Sequence, residues 1–486
     1  MTTYPMSPGD AAWFHMDGPA NLAIMNGLLI TRQALDFNRV PAVYRERLMG
    51  FERFRQRVVE VGLPFATPHW QNMPNFDIDQ HLHHIALAEP NDQSALRTLV
   101  SDIASTPLDH SQPLWQVYVV DGVEDGSALI MRVHHCIADG TGMMTVIGKL
   151  FDTGPGTPIR TDAPADATPA GHPAGDGLLA PALKAIERTV RSAMAMAGDT
   201  VDVVMHPRQA LDTATTVLGG AGMLVSELLK TNDPQSPFKG EFGPHKQVAW
   251  SRPVPIEDIK AIGARYGAKV NDVLVAAMTG ALRSYLKGRG VDVNHTSLRA
   301  MVPVDLRPPE RLGQLGNEFG LVILDLAVTS AGPVQRLAIT RARMDALKRS
   351  PEPVATLMLM EILGRAPKAL EDFSNVLFGR KASLVMSNVV GPREVLYLAG
   401  VPIDRMISWA PHPGHELGMT ITILSYHGFA TLSVIGDARL VPDPQTISDQ
   451  FQHEFQILLR TSRARTDRAP PKRVQAKPAP ARRRTP

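Results

Sequence analysis

The first 152 residues combine short apolar runs with one amphipathic segment. The runs at 26–30, 83–88, 115–120 and 127–133 are typical of β-strands in their length and spacing. Residues 94–106, "SALRTLVSDIAST", instead place apolar side chains three or four positions apart, which predicts an amphipathic helix. Strands mixed with helices indicate an α/β fold for this part of the chain.

A second alternation of apolar runs begins at residue 246. One long segment, 271–287, has the pattern of a buried helix. The predicted strands of this part are 246–254, 297–306, 321–328, 382–390 and a hairpin within 420–437. The whole chain is therefore predicted to contain two α/β halves.

The two halves are separated by a segment with no apolar period. Residues 153–176 consist mainly of Pro, Ala, Gly, Thr and Asp, which is typical of a linker. Beyond it, one helical stripe and a second helical stretch that reaches residues 223–230 predict connector helices. These helices either dock on the body of the protein or lie on a membrane surface. The stripe consists of Leu179, Leu183, Ile186, Val190 and Met194. The predicted organisation is an N-terminal domain at 1–152, linker and connector at 153–245, a C-terminal domain at 246–459 and a tail at 460–486.

Charge changes the picture only at the end of the chain. The 486 residues carry a net charge of +2, with 44% hydrophobic and 20% charged residues, as in ordinary globular proteins. Residues 460–486 contain ten Lys or Arg and one Asp, a local charge of +9 that leaves −7 on the rest. We expect this tail to be disordered and either solubilising or drawn to anionic lipid. No nucleic-acid partner is expected, because no aromatic residues are interleaved with these charges.

The single cysteine, Cys136, excludes a disulfide framework and a multi-cysteine metal site. The first residues lack the basic and apolar regions of a secretory signal, and no window approaches 18 uninterrupted apolar residues. These features predict a cytoplasmic protein, with contact at most peripheral to the inner membrane face or to lipid droplets.

The segment "SALIMRVHHCIADGTG", 127–142, contains the strongest candidate chemistry. Strand alternation turns His134 and His135 to opposite faces, so they cannot bind a metal together. One imidazole at a strand end, with the Asp139 carboxylate in the following turn, is the arrangement that a general base requires. The other histidine pair, at 83–84, lacks a following Asp-Gly and is predicted to be structural or exposed.

The motif "HHCIADG" resembles the active-site motif of the coenzyme A-dependent acyltransferase superfamily, which includes chloramphenicol acetyltransferase and condensation domains of peptide synthetases. Other motifs resemble one branch, the bacterial wax ester synthase/diacylglycerol acyltransferases. They are "MSPGDAAWF" (6–14), "PLDHSQPLW" (107–115), "ND" (271–272), "MVPVDLRP" (301–308), "GNEFG" (316–320), "SNVVGP" (387–392) and "VPDP" (441–444). The chain departs from the family pattern at Gly9, where leucine is usual, and at Cys136, where alanine is common.

The resemblance implies two similar chloramphenicol-acetyltransferase-like α/β domains with a substrate tunnel at their interface. It implies His135 as the general base, Asp139 as a loop-orienting residue paired with Arg307, and His134 in a supporting role. Acyl-CoA would be a substrate, and no cofactor or metal is expected.

The resemblance suggests further binding residues, some of them with alternatives. Gly140 and Asp272 are expected to contact substrate, whereas Trp115 either forms part of the tunnel wall or lies in the core. Asn271 either donates to the developing oxyanion or caps the helix that begins there. The Cys136 thiol could accept an acyl group, but strand pleating directs it away from His135.

The expected activity is esterification of diacylglycerol to triacylglycerol, with long-chain alcohols as further acceptors that would give wax esters. Two alternatives stay open at this stage. One is a condensation-type acyltransferase that uses a carrier-protein thioester, which the motifs "PLW", "ND" and "SNVVGP" disfavour. The other is a non-catalytic lipid-surface protein, which is disfavoured because His135 and Asp139 are both present. Oligomeric state and acyl length are not encoded in any motif.

Overall fold

The computed structural model describes residues 3–60, 67–155, 233–308, 311, 313–349, 353, 356–357, 379–411 and 417–466. Most of the predicted linker and connector, 156–232, and the chain after 466 lie outside the described residues. No helix among the described residues is long and apolar enough to cross a membrane.

Both halves contain strands and helices, as predicted. The helices are α1 Pro8–His15, α2 Val40–Arg47, α3 Gln93–Ala104, α4 Gly140–Leu150, α5 Ile256–Tyr266, α6 Val270–Gly288, α7 Pro333–Leu347 and α8 Pro444–Thr466. The strands of the first half are β1 Thr3–Pro5, β2 Ile24–Thr31, β3 Gln56–Val59, β4 His69–Asn72, β5 Leu82–Ala86, β6 Trp115–Val123 and β7 Gly126–His134. Those of the second half are β8 Lys246–Trp250, β9 Val254–Pro255, β10 Arg299–Asp305, β11 Phe319–Asp325, β12 Leu384–Val390, β13 Tyr397–Leu398, β14 Val401–Trp409, β15 Met419–Tyr426 and β16 Phe429–Asp437.

Two large sheets form the body of the molecule. The first has the strand order β13-β14-β2-β7-β6-β5, and the second has the order β11-β10-β12-β15-β16-β8, with β9 paired to β16. A small third sheet, β1-β4-β3, lies in the N-terminal half. Strand β7 is buried along its whole length, which explains its nearly continuous apolar sequence.

The sheets are joined by strand exchange. Strand β14 belongs to the C-terminal half of the chain but pairs antiparallel with β2 of the N-terminal half, with Met406 opposite Leu29. At the end of β14, Trp409 Nε1 donates to the carbonyl of Val434 in the second sheet at 3.0 Å. The predicted domain boundary at 246 therefore does not separate two independent sheets.

The C-terminal helix differs from the prediction. Residues from Arg460 onward were expected to form a tail, but α8 continues to Thr466. Its buried residues Phe451, Phe455, Leu458 and Ser462 continue the helical spacing past this point. Arg463 also pairs with Asp258 of α5 at 2.9 Å. The last turns of α8 were predicted as tail because of their basic residues, although they belong to an amphipathic helix.

Candidate active site

A cavity of about 460 Å³ lies between the two sheets. Residues from both halves line it, and most of them are apolar. Those from the first half include Trp13, Met25, Met131, Met143 and Ile147, and those from the second include Met301, Phe319, Val385, Val389 and Leu424. This volume and lining are typical of small-molecule sites. His135, Asp139 and Gly140 also line the cavity, so the structure brings the central motif to it.

His135 is held at the end of β7 by contacts on three sides. Its backbone N–H donates to the carbonyl of Ala23 at 2.8 Å. The imidazole stacks on Trp13, with ring centroids 3.9 Å apart, and meets Phe319 edge to face. Its Nδ1 lies 2.8 Å from Asn317 Oδ1. Among the described residues none hydrogen-bonds to Nε2, so this nitrogen can serve a ligand in the cavity.

The expected contact between Asp139 and Arg307 is present. Arg307 Nη2 donates to Asp139 Oδ2 at 2.8 Å and Nη1 lies 3.3 Å from Oδ1, a two-point arrangement between buried groups. Asp139 Oδ1 also accepts from the N–H of Gly142, which caps α4. The carboxylate thus ties the turn after His135 to the start of α4 and to the C-terminal half.

A second network behind His135 was not predicted. Asn317 Nδ2 donates to Asp10 Oδ1 and to the backbone carbonyl of His135, both at 2.8 Å. Asp10 Oδ2 pairs with Arg53 Nη2 at 2.8 Å. Asp10 and Trp13 belong to the motif "MSPGDAAWF" and Asn317 to "GNEFG", so the resemblance contained the signal, but separations of about 300 residues gave no indication of contact.

His134 points away from the cavity and towards a different carboxylate. Its Nδ1 accepts from the N–H of Cys136 at 3.1 Å, and its Nε2 lies 3.8 Å from Asp17 Oδ1. Asp17 in turn bonds to His110 at 3.0 Å. This separation of the two imidazoles agrees with the opposite orientation predicted from strand alternation. No group of three or more potential metal ligands occurs in the described part of the chain.

Burial makes both motif histidines weak bases. Burial lowers the pKa of His135 from 6.5 to about 4, although the Asp139 carboxylate and the Asn317 hydrogen bond oppose this change. Burial likewise lowers the pKa of His134 to about 4, against the attraction of Asp17. At neutral pH the His135 imidazole is therefore uncharged and able to accept a proton.

The Cys136 thiol does not face the cavity. It is fully buried, and burial followed by the nearby Asp10 carboxylate raises its pKa well above the usual value. A thiol that resists ionisation in a closed environment is a poor nucleophile. The structure therefore gives no support to an acyl-accepting role.

Three residues considered as candidate site residues do not line the cavity. Trp115 is a core residue: its Nε1 donates to the carbonyl of Phe54 at 2.9 Å and its ring stacks on His81. Asn271 does not cap α6, because the helix begins one residue earlier and Lys269 is its N-cap. Asn271 is also not among the residues that line the cavity. Asp272 does not line the cavity either.

Asp272 has a structural role instead. Its Oδ2 accepts from the backbone N–H of Lys269 at 2.8 Å, at the start of α6. An acidic side chain in the first turn of a helix satisfies a free N–H and complements the helix dipole. The "ND" motif therefore organises the start of α6 in this chain.

Comparison with known proteins identifies the family of the chain. The family model described as the wax ester synthase/diacylglycerol acyltransferase catalytic domain matches residues 6–274. The chain belongs to the wax ester synthase/diacylglycerol acyltransferase family. The C-terminal domain model of this family matches residues 315–459, so the family region ends before the last turns of α8.

Relatives extend over most of the chain. A putative diacylglycerol O-acyltransferase of Mycobacterium tuberculosis is 31% identical, over 81% of this chain and 78% of its own length. A probable diacylglycerol O-acyltransferase of the same organism is 26% identical, over 93% of this chain and 94% of its own. The chain is an acyltransferase of this family.

Solved structures show the same fold. The wax ester synthase/diacylglycerol acyltransferase from Marinobacter aquaeolei VT8 superposes with a TM-score of 0.66 at 21% identity, covering 95% of this chain and all of that one. The first condensation domain of the calcium-dependent antibiotic synthetase gives 0.57 at 16% identity, covering 95% and 96%. The predicted fold of two chloramphenicol-acetyltransferase-like domains is thereby confirmed.

Proposed function

We propose that this chain transfers the acyl group of a long-chain acyl-CoA to the hydroxyl group of diacylglycerol, and to long-chain alcohols as further acceptors. The observation that carries the proposal is the uncharged His135 imidazole, whose Nε2 is unpaired among the described residues, at an apolar cavity formed by both halves. An acyl chain and a lipid acceptor both match such a lining.

His135 acts as the general base in this proposal. Its Nε2 accepts the proton of the acceptor hydroxyl while the hydroxyl oxygen attacks the thioester carbonyl carbon. The tetrahedral intermediate then collapses, the carbon–sulfur bond breaks, and the imidazolium returns its proton to the departing CoA thiolate. One acyl-CoA and one alcohol therefore give one ester and free CoA. Positioned proton transfer of this kind contributes roughly 100- to 10,000-fold in rate.

The surrounding groups support the base without reacting. Arg307 pairs with Asp139 at 2.8 Å, and this carboxylate holds the turn that follows His135. The apolar walls limit the access of water, which would otherwise hydrolyse the thioester. No cofactor or metal enters the proposed reaction.

A direct assay separates the two acceptors. Purified protein is given radiolabelled palmitoyl-CoA with diacylglycerol or hexadecanol, and the lipids are resolved by thin-layer chromatography. We expect labelled triacylglycerol with diacylglycerol and labelled wax ester with hexadecanol, and formation of both esters should be about 100- to 10,000-fold slower with the His135→Ala variant. Absence of labelled ester with both acceptors from folded wild-type protein would contradict the proposal. Equal ester formation by the folded variant would contradict the role of His135.

A further inference from the structure

We propose that Asn317 is a positioning residue that holds His135 in the tautomer with hydrogen on Nδ1, so that Nε2 presents its lone pair to the cavity. This inference rests on the proposed function, in which Nε2 is the base. It adds a residue outside the histidine motif to the catalytic arrangement.

The orientation of the Asn317 amide follows from its partners. Its Nδ2 lies 2.8 Å from Asp10 Oδ1 and 2.8 Å from the backbone carbonyl oxygen of His135. Both are oxygens that accept hydrogen bonds, so the NH₂ group must face them. The amide oxygen is thereby directed to His135 Nδ1 at 2.8 Å. An amide oxygen can only accept, so Nδ1 must carry the hydrogen.

The amide is itself held by a buried carboxylate, which pairs with a partly buried arginine. Asp10 is fully buried, and its Oδ1 also accepts from the backbone N–H of Asn317 at 3.1 Å. Arg53 completes the network by pairing with Asp10 at 2.8 Å and donating to the carbonyl of Ile137 at 2.8 Å. The chain of contacts from Arg53 through Asp10 to Asn317 therefore also reaches the loop that carries His135.

The ring itself has little freedom to escape this contact. Trp13 stacks on the imidazole at 3.9 Å and 22°, which fixes the ring plane. The other tautomer would set the Nδ1 lone pair against the Asn317 oxygen at 2.8 Å, an arrangement without a hydrogen bond between two acceptors. It would also place the hydrogen on Nε2, where a base must have none. The orienting partner of a catalytic histidine has the same effect in serine hydrolases, where a wrong tautomer costs about 10,000-fold.

The tautomer can be measured without any substrate, by ¹⁵N chemical shifts of histidine-labelled protein at neutral pH. The His135→Gln variant assigns the pair of His135 resonances. We expect a protonated-type Nδ1 and an unprotonated-type Nε2 in the wild type. Hydrogen on Nε2 in the folded wild type would overturn the proposal. Because no acyl donor or acceptor is used, this result is independent of whether the proposed substrates are right.

Variants then test the cause. In Asn317→Ala we expect the His135 shifts to move towards the other tautomer, and kcat to fall by about 10- to 1,000-fold with KM changed less than threefold, a smaller loss than that of an enforced wrong tautomer. Retention of the Nδ1–H tautomer in this variant, or a changed tautomer with wild-type kcat, would each overturn the proposal. If the variant does not fold, the wild-type spectrum still decides.

Asn72→Ala is the matched control for the loss of an asparagine hydrogen bond. Asn72 accepts from Gln56 Nε2 at 2.7 Å and does not line the cavity. We expect it to leave both the His135 shifts and kcat at wild-type values. If it changed them as much as Asn317→Ala does, the effect of Asn317 would be general destabilisation and the proposal would fail.

Discussion

The residue scale is where the chemistry is decided, and the assignment of His135 can be tested there. Replacing His135 by alanine removes the proton acceptor, and we expect kcat/KM to fall by about 100- to 10,000-fold, or about 2.7 to 5.5 kcal/mol. Steady-state kinetics on variants with wild-type circular dichroism measures this.

Cys136→Ala provides the adjacent control. The thiol is buried, has a raised pKa and does not line the cavity, so activity should stay within a few-fold of the wild type. A loss as large as that of His135→Ala, or a trapped acyl-thioester on Cys136, would contradict the general-base assignment.

The low pKa of His135 predicts an unusual pH dependence. The base is active only when uncharged, and burial holds its pKa at about 4 instead of 6.5. Activity should therefore be kept as pH falls through 6.5 and should be lost only near pH 4. The measurement is kcat/KM against pH, which reports the free enzyme, with circular dichroism at each pH to confirm folding. An acidic limb centred at 6.5 would show that the imidazole is solvated.

The sequence predicted part of this site. The motif at 134–140 and its resemblance identified His135, Asp139 and the partner Arg307. Trp115 was left open between tunnel wall and core because a large aromatic residue in a motif fits both, and its burial with the hydrogen bond to Phe54 decides for the core. Asn317 and Asp10 were missed because their contact depends on how two distant segments pack, which no local pattern contains.

At the scale of elements, helix α6 offers a test of packing within the C-terminal half. Gly280 lies on α6 against the buried ion pair of Arg336 on α7 and Glu454 on α8. A Cβ at this position would come within 2.5 Å of Arg336 Nη2 and 2.6 Å of Glu454 Cδ. We expect Gly280→Ala to destabilise the protein by about 1–3 kcal/mol through overpacking, measured as a lower denaturation midpoint.

Gly288→Ala on the same helix is the matched control. Apart from the adjacent backbone of α6, no atom of the described residues lies within 4 Å of the position that a Cβ would take there, so alanine should be neutral or stabilising by up to about 1 kcal/mol. Equal denaturation midpoints for the two variants would mean that Arg336 and Glu454 can move to accommodate the added methyl group without loss of stability. The comparison separates packing against Arg336 and Glu454 from the general effect of replacing glycine by alanine in a helix.

Elements with a strong local pattern were predicted and those built by long-range pairing were not. The segment 271–287 closely matches α6, and the run 420–437 is the hairpin of β15 and β16. Strand β14 was missed because Pro402, Asp404 and Arg405 interrupt its apolar pattern and half of it is only partly buried. It forms because β2 of the other half supplies its hydrogen bonds.

At the scale of the whole molecule, the two α/β halves were predicted but their interlocking was not. The Lys246 ammonium shows how closely they are joined: it bonds to Asp437 at 2.8 Å and to the carbonyl of Ala20 in the first half at 2.7 Å. Such contacts depend on residues that are about 200 positions apart. Sequence spacing therefore gives the number of halves, and only packing gives the cavity between them.

Residues 467–486, which lie outside the described part of the chain, are strongly basic. They contain seven Lys or Arg and one Asp, a local charge of +6 that leaves −4 on the rest. We propose that this segment attracts the enzyme to anionic lipid, because clustered cations are drawn to negative headgroups. Truncation after Thr466 keeps α8 complete and should weaken flotation with liposomes that contain phosphatidylglycerol. Wild-type binding should also fall with salt, since exposed charges are screened beyond about 8 Å at 0.15 M.

A full-length variant with these seven cations replaced by glutamine separates charge from chain length. It should float as poorly as the truncated protein, and both should keep wild-type turnover on detergent-dispersed substrate, because none of the family motifs lies in this segment. Equal flotation of all three proteins at low salt would exclude the tether and leave a solubilising role for the segment. If the glutamine variant floated like the wild type while the truncated protein did not, the attraction to lipid would depend on the segment but not on its charge.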